Sequence, residues 1–241
     1  MAALIYGVFC YLLFLLTILY SIGFVGGLVV PRSIDSGLMA PIAEALVIDA
    51  FLLGLFAVQH SVMARQGFKR WWTRFVPQSV ERSTYVLFSN VVLIVLFWQW
   101  RPIPGVVWSM TNPAGVALLW SLFWLGWLIA LVSTFLINHF DLFGLQQVWR
   151  HSRGNTVEGS RFRTPLFYKV VRHPLYFGFL LAFWATPVMT WGHLLFAIAT
   201  TGYIFIGSWL EERDLVVAFG EVYVAYRKRV SMIIPMPPKR G

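Results

Sequence analysis

Long apolar runs restrict the folds open to this chain more than any other feature of its sequence. Four of them, approximately residues 4–30, 38–63, 85–100 and 114–137, contain few charges and approach or exceed the ~20 residues that a helix needs to cross a bilayer. The 241 residues are 59% apolar, with a mean hydropathy of +0.71, which is more apolar surface than a soluble domain of this length can bury. The sequence therefore predicts an all-α, polytopic membrane protein.

A fifth apolar stretch, residues 174–210, is interrupted near Pro187 and again at Trp191-Gly192-His193. Because each half has only ~17 residues, we expect a helical hairpin that enters the membrane and returns. Apolar residues then recur at spacings of three and four over 211–230, which predicts an amphipathic tail helix that cannot span. The predicted fold is four long transmembrane helices followed by this hairpin and tail helix.

Basic residues are distributed unevenly among the segments that connect these spans. Seventeen Lys and Arg fall in 65–82, in 138–172 and after Leu210, whereas the two other connecting segments carry one each, Arg32 and Arg101. Four spans and a returning hairpin place the three basic segments on one side, which is the cytoplasmic side by the positive-inside rule. We therefore expect both termini in the cytoplasm, and a bacterial inner membrane as the location.

Basic and aromatic residues are mixed between Lys69 and Phe75. Such a segment is typical of a short helix that lies among lipid headgroups, so membrane lipid is an expected partner. Membrane topology also explains the net charge of +9, and no nucleic-acid partner is expected.

Several common types of site are excluded by the sequence. It contains no P-loop, no G-x-G-x-x-G, no H-E-x-x-H and no C-x-x-C. Cys10 is the single cysteine, so neither an intramolecular disulfide nor a cysteine metal cluster is possible. We predict no metal site, and the chemistry is expected from polar residues at the membrane boundary, where each is costly unless it is used.

The first polar cluster has the pattern R-H-P-x-Y-x-G and begins at Arg172. Pro174 suits the first turn of a helix, where its missing N–H is not needed. Arg172 and His173 then precede a helix N-terminus, which favours an anionic group such as a carboxylate. Gly178, one turn later, allows close approach of a ligand or of another helix. Alone, the pattern is equally compatible with an interfacial helix start that has a basic flank.

The second polar cluster is the pair Glu211-Glu212. Alone, these carboxylates could simply cap the tail helix. The predicted hairpin, however, returns them to the membrane face of Arg172 and His173. Together the clusters would offer cationic donors and carboxylates to a zwitterionic ligand that has a positive centre.

These two clusters together carry a family resemblance. Beginning 33 residues after Gly178, the chain reads E-E-x-x-L-x-x-x-F-G-x-x-Y-x-x-Y-x-x-x-V, and the composite resembles the isoprenylcysteine carboxyl methyltransferase superfamily. The resemblance implies S-adenosylmethionine (SAM) as cofactor, bound at the cytoplasmic face. The cofactor-binding residues that it implies are Gln147, Tyr168, Arg172, His173, Tyr176, Gly178, Glu211 and Glu212.

The upstream half is similar to a narrower group, the NnrU-like membrane proteins and, among them, bacterial methanethiol S-methyltransferases. The patterns that carry this similarity are Q-H-S-V-M-A-R from Gln59, E-R-S-T-Y from Glu81, W-Q-W-R-P from Trp98 and N-H-F-D-L-F-G from Asn138. The resemblance implies methyl transfer from SAM to methanethiol, which gives dimethyl sulfide. It also implies one domain, with residues 1–137 forming spans and acceptor pocket and 138–241 binding SAM.

Two other functions stay open at this point. One is methylation of a different lipid-soluble acceptor, such as an isoprenoid carboxylate or a phospholipid amine. The other is a membrane protein that keeps a SAM-like pocket for binding alone. A thiol acceptor differs from a carboxylate acceptor in needing a proton acceptor, because the thiolate is the competent nucleophile.

Candidate proton acceptors lie where spans two and four are expected to end. His60 and His139 titrate near neutrality, Asp141 could orient or polarise the latter, and Tyr85 could shape the pocket. The structural alternatives are an interfacial hydrogen bond for His60 and a polar cap on span four for His139 and Asp141. We predict His60, Tyr85, His139 and Asp141 as the catalytic residues.

Overall fold

The computed structural model describes residues 1–154 and 162–236. The basic residues Arg161, Lys239 and Arg240, which contribute to the charge count above, lie outside this range. The helices are α1 (Ala2–Gly26), α2 (Ile42–Ala64), α3 (Gln66–Trp72), α4 (Gln78–Gln99), α5 (Pro113–Ile137), α6 (His139–Leu142), α7 (Leu145–Ser152), α8 (Pro174–Trp184), α9 (Trp191–Phe219) and α10 (Glu221–Arg229), with a 3₁₀ turn at Leu166–Lys169. Two short strands, β1 (Val106–Ser109) and β2 (Val188–Thr190), form the two-stranded sheet of the described residues.

Five helices of the described chain are long and apolar enough to cross a membrane, namely α1, α2, α4, α5 and α9. The first four correspond to the predicted spans, although α4 begins at Gln78 rather than near Tyr85. The prediction of an all-α, polytopic membrane protein is therefore confirmed, and the chain is a multi-pass membrane protein.

The two halves of the predicted hairpin are unequal. Helix α8 has 11 residues and α9 has 29, so the expectation of two halves of similar length was wrong. Helix α8 ends at Trp184 because Pro187 follows closely, and a residue before proline is pushed out of the α-helical region. Gly192 lies inside the first turn of α9 rather than in a break. Its missing side chain allows close approach, since a Cβ there would lie 3.0 Å from the Ile103 nitrogen.

The tail is also divided differently from the prediction. Helix α9 continues through Glu211 and Glu212 to Phe219, and the chain turns at Gly220, whose φ is +59°. A single helix over 211–230 was therefore wrong, because Gly220 adopts a backbone conformation that other residues rarely populate. The apolar spacing is similar on both sides of this turn, so periodicity could not reveal it.

The described chain forms two compact units, each made of segments that are separate in sequence. Unit 1 contains residues 1–107, 138–154 and 190–193, and unit 2 contains 108–137, 162–189 and 194–236. Within unit 1, α1 and α2 pack against α4, and α7 packs against α1. Within unit 2, α5 packs against α8. The functional division predicted at residue 137 remains a prediction.

The start of α9 lies beside the loops that follow α1 and α4 in unit 1. The Trp191 N–H donates to the Gly105 carbonyl at 3.1 Å, and the Gly192 N–H donates to Ile103 at 3.2 Å. The Thr190 hydroxyl donates to Asp35, 2.5 Å away. Because α9 spans about 43 Å at ~1.5 Å per residue, it is long enough to cross ~30 Å of hydrocarbon from that end. The length of α9 is therefore sufficient for one crossing.

Small residues determine how closely α5 and α8 approach in unit 2. Gly126 and Ala130 on α5 face Gly178 and Ala182 on α8, with the same spacing of four residues on each helix. A Cβ on Gly178 would lie 2.6 Å from the Gly126 carbonyl oxygen and 2.7 Å from the Ala130 nitrogen. Small residues at this spacing let transmembrane backbones pack closely. Of the two roles that the sequence left open for Gly178, the structure shows close approach to another helix.

We expect Gly178→Ala to lower the free energy of unfolding by about 1–3 kcal/mol, because the added methyl group meets backbone that cannot rotate away. Thermal unfolding of the purified protein in detergent measures the effect. Gly202→Ala on α9 is the matched control, since a Cβ there has nothing within 4 Å. Equal melting temperatures for the two variants would contradict the close packing of α5 on α8.

Candidate functional site

Unit 2 brings the two predicted polar clusters together as an ion network. The Arg172 Nε lies 2.5 Å from Glu212 Oε1, and the His173 Nε2 lies 3.3 Å from the same oxygen. Arg227, on α10, places its Nε 3.5 Å from Glu212 Oε2. The Glu212 side chain is only 6% exposed. Glu212 is therefore neutralised by side chains of the chain itself, whereas the sequence analysis expected both clusters to face a ligand.

Backbone contacts hold Arg172 and His173 in this position. The Arg172 N–H donates to the Ser231 carbonyl at 2.8 Å, and the His173 N–H donates to Met232 at 3.0 Å. The Arg172 guanidinium also donates to the carbonyls of Arg227 and Val230. The end of the tail thus fixes the residues that precede α8, and Pro174 occupies the first turn of that helix as predicted.

Glu211 is the accessible carboxylate of the pair, with a side chain that is 44% exposed. It accepts a hydrogen bond from the Tyr176 hydroxyl at 3.0 Å, and the His173 Nδ1 lies 3.7 Å away. The His173 and Tyr176 rings stack with their centres 5.4 Å apart. Adjacent positions on one helix therefore have different environments, because Glu212 points into the ion network and Glu211 towards its edge.

Buried tyrosines connect this network to α5. The Tyr226 hydroxyl donates to the Tyr168 carbonyl at 2.5 Å, and the Tyr168 hydroxyl donates to the Ser133 carbonyl at 3.4 Å. Burial raises the pKa of Tyr226 to about 12, and burial together with the Glu211 charge raises the pKa of Tyr168 above its ordinary value. Both phenols therefore remain neutral hydrogen-bond donors at physiological pH.

In unit 1, His60 is held between α2 and α4. Its Nε2 lies 2.8 Å from the Tyr85 hydroxyl, and its Nδ1 lies 3.2 Å from the Ser89 hydroxyl. The Phe56 ring stacks on the imidazole with centres 5.1 Å apart, and the Arg82 guanidinium lies over the Tyr85 ring. The structure thus brings the predicted residues His60 and Tyr85 together, with both imidazole nitrogens engaged by hydroxyl groups.

His139 is 3% exposed and lies in an aromatic enclosure. Its Nε2 is 2.8 Å from the Tyr11 hydroxyl. The ring centres of Tyr11, Phe14, Phe140 and Phe143 lie 4.9–6.4 Å from its own. Burial lowers the pKa of His139 below its ordinary value. The imidazole is therefore neutral at physiological pH and able to accept a proton.

A stacked pair of phenylalanines adjoins both histidine sites. The Phe14 and Phe143 ring centres are 3.7 Å apart, and both rings pack against the buried cluster of Met63, Tyr85 and Val86. The same two rings contact His139. The Tyr85 and His139 environments therefore share a dry aromatic wall within unit 1.

Asp141, on α6, and Gln147, on α7, are paired. The Gln147 amide donates to Asp141 Oδ1 at 3.1 Å, and the Asn138 side chain accepts from the Asp141 N–H at 3.4 Å. Gln147 belongs to unit 1, whereas the other residues predicted to bind the cofactor belong to unit 2. Its assignment to the cofactor remains a prediction, as does the assignment of Asp141 to catalysis.

Sequence analysis did not identify Tyr11, Ser89 and Arg227, which contact His139, His60 and Glu212 respectively. Tyr11 and Ser89 lie inside apolar helices, where the one available signal was a hydroxyl at membrane depth. Arg227 lies in a basic segment whose charges were explained by topology. Each contact joins residues that are distant in sequence, so local spacing could not predict it.

Curated proteins that are similar to this chain share one name. Methanethiol S-methyltransferase from Mycobacterium tuberculosis is 58% identical over 234 residues, which cover 97% of this chain and 96% of that protein. Methanethiol S-methyltransferase 1 from Bradyrhizobium diazoefficiens is 58% identical over 233 residues, covering 97% and 82%. Methanethiol S-methyltransferase from Crocosphaera subtropica is 54% identical over 238 residues, covering 99% and 93%. No family model matches the chain, and no solved structure matches it at a significant level.

Proposed function

The chain belongs to the methanethiol S-methyltransferase family, and on this basis we propose that it methylates methanethiol to dimethyl sulfide with SAM as methyl donor. The observation that carries the proposal is identity of 54–58% over nearly the whole chain to several enzymes of that name. Because these alignments extend through both units, they include the predicted cofactor residues and the predicted acceptor residues alike.

The residues of unit 2 suit a zwitterion that carries a positive centre. Glu211 offers an accessible carboxylate to a cation, and Tyr176 orients it. Arg172 and His173, at the start of α8, suit a ligand carboxylate. Glu212 acts on the ligand through these two residues, since its Oε1 contacts both of them and its Oε2 contacts Arg227. We assign Tyr168 to the structural support of the site and keep Gln147 as a candidate contact of the cofactor.

SAM supplies a methyl group bound to a positively charged sulfonium. In the overall reaction the thiol sulfur forms a bond to that methyl carbon, the methyl–sulfonium bond breaks, and its electron pair stays on the departing thioether. The thiol proton must go elsewhere, because the protonated thiol is a poor nucleophile. The protein therefore needs a proton acceptor, positioning and exclusion of water.

We assign the proton-accepting role to His139. Its imidazole is neutral because burial lowers its pKa, and the surrounding aromatic rings exclude water while allowing favourable contacts with sulfur. His60 is held between α2 and α4 by the hydroxyl groups of Tyr85 and Ser89. In this proposal His60 and Tyr85 shape the wall of the acceptor pocket, and Asp141 holds the turn that carries His139.

We place the reaction at the cytoplasmic face of a bacterial inner membrane, with both termini in the cytoplasm. Seventeen of the nineteen Lys and Arg lie in the segments assigned to that side. The opposite side would carry Arg32, Arg101 and the turn before α9. The contacts of Thr190 to Gly192 with the loops after α1 and α4 support that arrangement.

The direct test uses the full-length protein, purified in detergent, with SAM that carries a deuterated methyl group. We expect labelled dimethyl sulfide in the headspace when methanethiol is added, and one S-adenosylhomocysteine for each molecule formed. An isoprenoid carboxylate and a phospholipid amine serve as competing acceptors. Binding of S-adenosylhomocysteine without any dimethyl sulfide would contradict thiol methylation and leave a binding protein or another acceptor.

A further inference from the structure

The Tyr223 hydroxyl is buried in unit 2 without a hydrogen bond to any described residue. The side chain is 2% exposed, and its oxygen has no partner among residues 1–154 and 162–236. The neighbouring Tyr226 and Tyr168 hydroxyls are both satisfied by backbone carbonyls. A phenol without a partner in a buried position is rare and energetically costly.

Tyr223 lies next to the ion network of Glu212. It is one helical turn before Arg227, whose guanidinium contacts Glu212, and it is flanked by the rings of Phe162 at 5.7 Å and Tyr226 at 5.8 Å. Burial and the charges of Glu212 and Glu211 raise the pKa of Tyr223 above its ordinary value, against the opposing effect of Arg172. The group is therefore a protonated donor within electrostatic range of both carboxylates.

A second buried hydroxyl without a partner lies on α9. Ser208 is 0% exposed, and within the described part of the chain its oxygen has no hydrogen-bond partner. Thr200 and Thr201, on the same helix, donate to carbonyls four residues earlier at 2.6 Å. Ser208 makes no such bond. It precedes Glu212 by four residues and therefore lies on the same helix face.

We infer that the hydroxyls of Tyr223 and Ser208 bind oxygen atoms of SAM, beside the network that Glu212 organises. This inference rests on the proposed function and deepens it by adding two residues to the cofactor site. Ligand sites of this kind are mostly apolar with a few polar groups that fix orientation. A dry phenol among the aromatic rings of the tail, and a dry hydroxyl one helical turn before Glu212, have that character.

Tyr223→Phe and Ser208→Ala test the inference because each removes one of these hydroxyls. Removing an unsatisfied polar group should leave the melting temperature of the ligand-free protein unchanged or raise it. We expect each variant to bind S-adenosylhomocysteine about tenfold more weakly, which corresponds to one lost hydrogen bond. Isothermal titration calorimetry and thermal unfolding, both on the full-length protein in detergent, measure the two quantities.

Tyr226→Phe is the matched control on the same helix. Its hydroxyl donates to the Tyr168 carbonyl, so this variant should melt at a lower temperature. Unchanged affinity in both test variants would overturn the inference, and a buried water would then be the partner of these hydroxyls. A lower melting temperature in both would overturn it as well, because the hydroxyls would then stabilise the fold. If the wild-type protein binds no S-adenosylhomocysteine, the cofactor assignment fails together with the inference.

Discussion

Replacing His139 with asparagine is expected to lower the turnover of methanethiol by about 10²–10⁴-fold, the usual contribution of a positioned proton acceptor. Affinity for S-adenosylhomocysteine should stay within about twofold, since His139 is assigned to the thiol and not to the cofactor. Asparagine keeps a polar side chain at the start of α6 but cannot accept the thiol proton. Steady-state formation of dimethyl sulfide and calorimetric titration distinguish the two effects.

The pH profile provides an independent test of the same assignment. Burial lowers the pKa of His139 below its ordinary value of 6.5, so the accepting, neutral form persists at mildly acidic pH. Wild-type kcat/KM should therefore fall only below pH 6.5 and change little between pH 7 and the pKa of the thiol. In the His139→Asn variant, kcat/KM should rise about tenfold per pH unit over that range, because only thiolate formed in solution reacts.

His60→Asn is the matched comparison for this prediction. His60 is bonded to Tyr85 and Ser89, so its loss should lower the melting temperature and leave the shape of the pH profile unchanged. If His60→Asn instead acquires the steep profile and His139→Asn keeps the wild-type shape, the proton acceptor has been assigned to the wrong histidine.

Replacing Glu212 with glutamine is expected to lower the free energy of unfolding by about 3–5 kcal/mol, because it leaves the buried Arg172 charge uncompensated. Arg172 and Glu212 are joined at 2.5 Å with side chains that are 10% and 6% exposed. The amide retains the size of the carboxylate, so the change tests charge rather than packing. Chemical denaturation in detergent, followed by tryptophan fluorescence, measures the loss.

Glu211→Gln is the control for this prediction at the adjacent position. Its side chain is 44% exposed, so the free energy of unfolding should change by no more than about 1 kcal/mol. The affinity of the Glu211→Gln variant for SAM should nevertheless fall more than its affinity for S-adenosylhomocysteine. The reason is that only SAM presents a positively charged sulfonium to the accessible carboxylate. Equal stability of the two variants would contradict the different burial of Glu211 and Glu212.

The membrane architecture was largely predictable from sequence, because hydropathy is a property of each residue and its near neighbours. Spans α1, α2 and α5 lie within a few residues of the predicted positions, α4 ends as predicted but begins earlier, and Pro174 begins α8 as expected. The same local information failed at Gly220 and at the two unequal arms around Pro187. There the helix boundaries depend on a positive φ and on the contact of Gly192 with Ile103.

The site was predictable as a set of residues and unpredictable as a set of contacts. Hydropathy and charge made Arg172, His173, Glu211 and Glu212 stand out, because charged groups at a membrane boundary are costly and therefore informative. Sequence could not distinguish Glu211 from Glu212. Only the packing of α8, α9 and α10 decides which carboxylate is buried in the ion network and which remains accessible.

What the sequence determined by itself is the four long spans and the residue types at their ends, since these follow from transfer free energies that add along the chain. The tertiary structure alone decided which groups meet. Tyr11 reaches His139 across 128 residues and Arg172 reaches Glu212 across 40. Gly178 serves helix packing because Gly126 lies opposite. Such pairings depend on the complementary shapes of helices that are distant in sequence, and no local pattern records them.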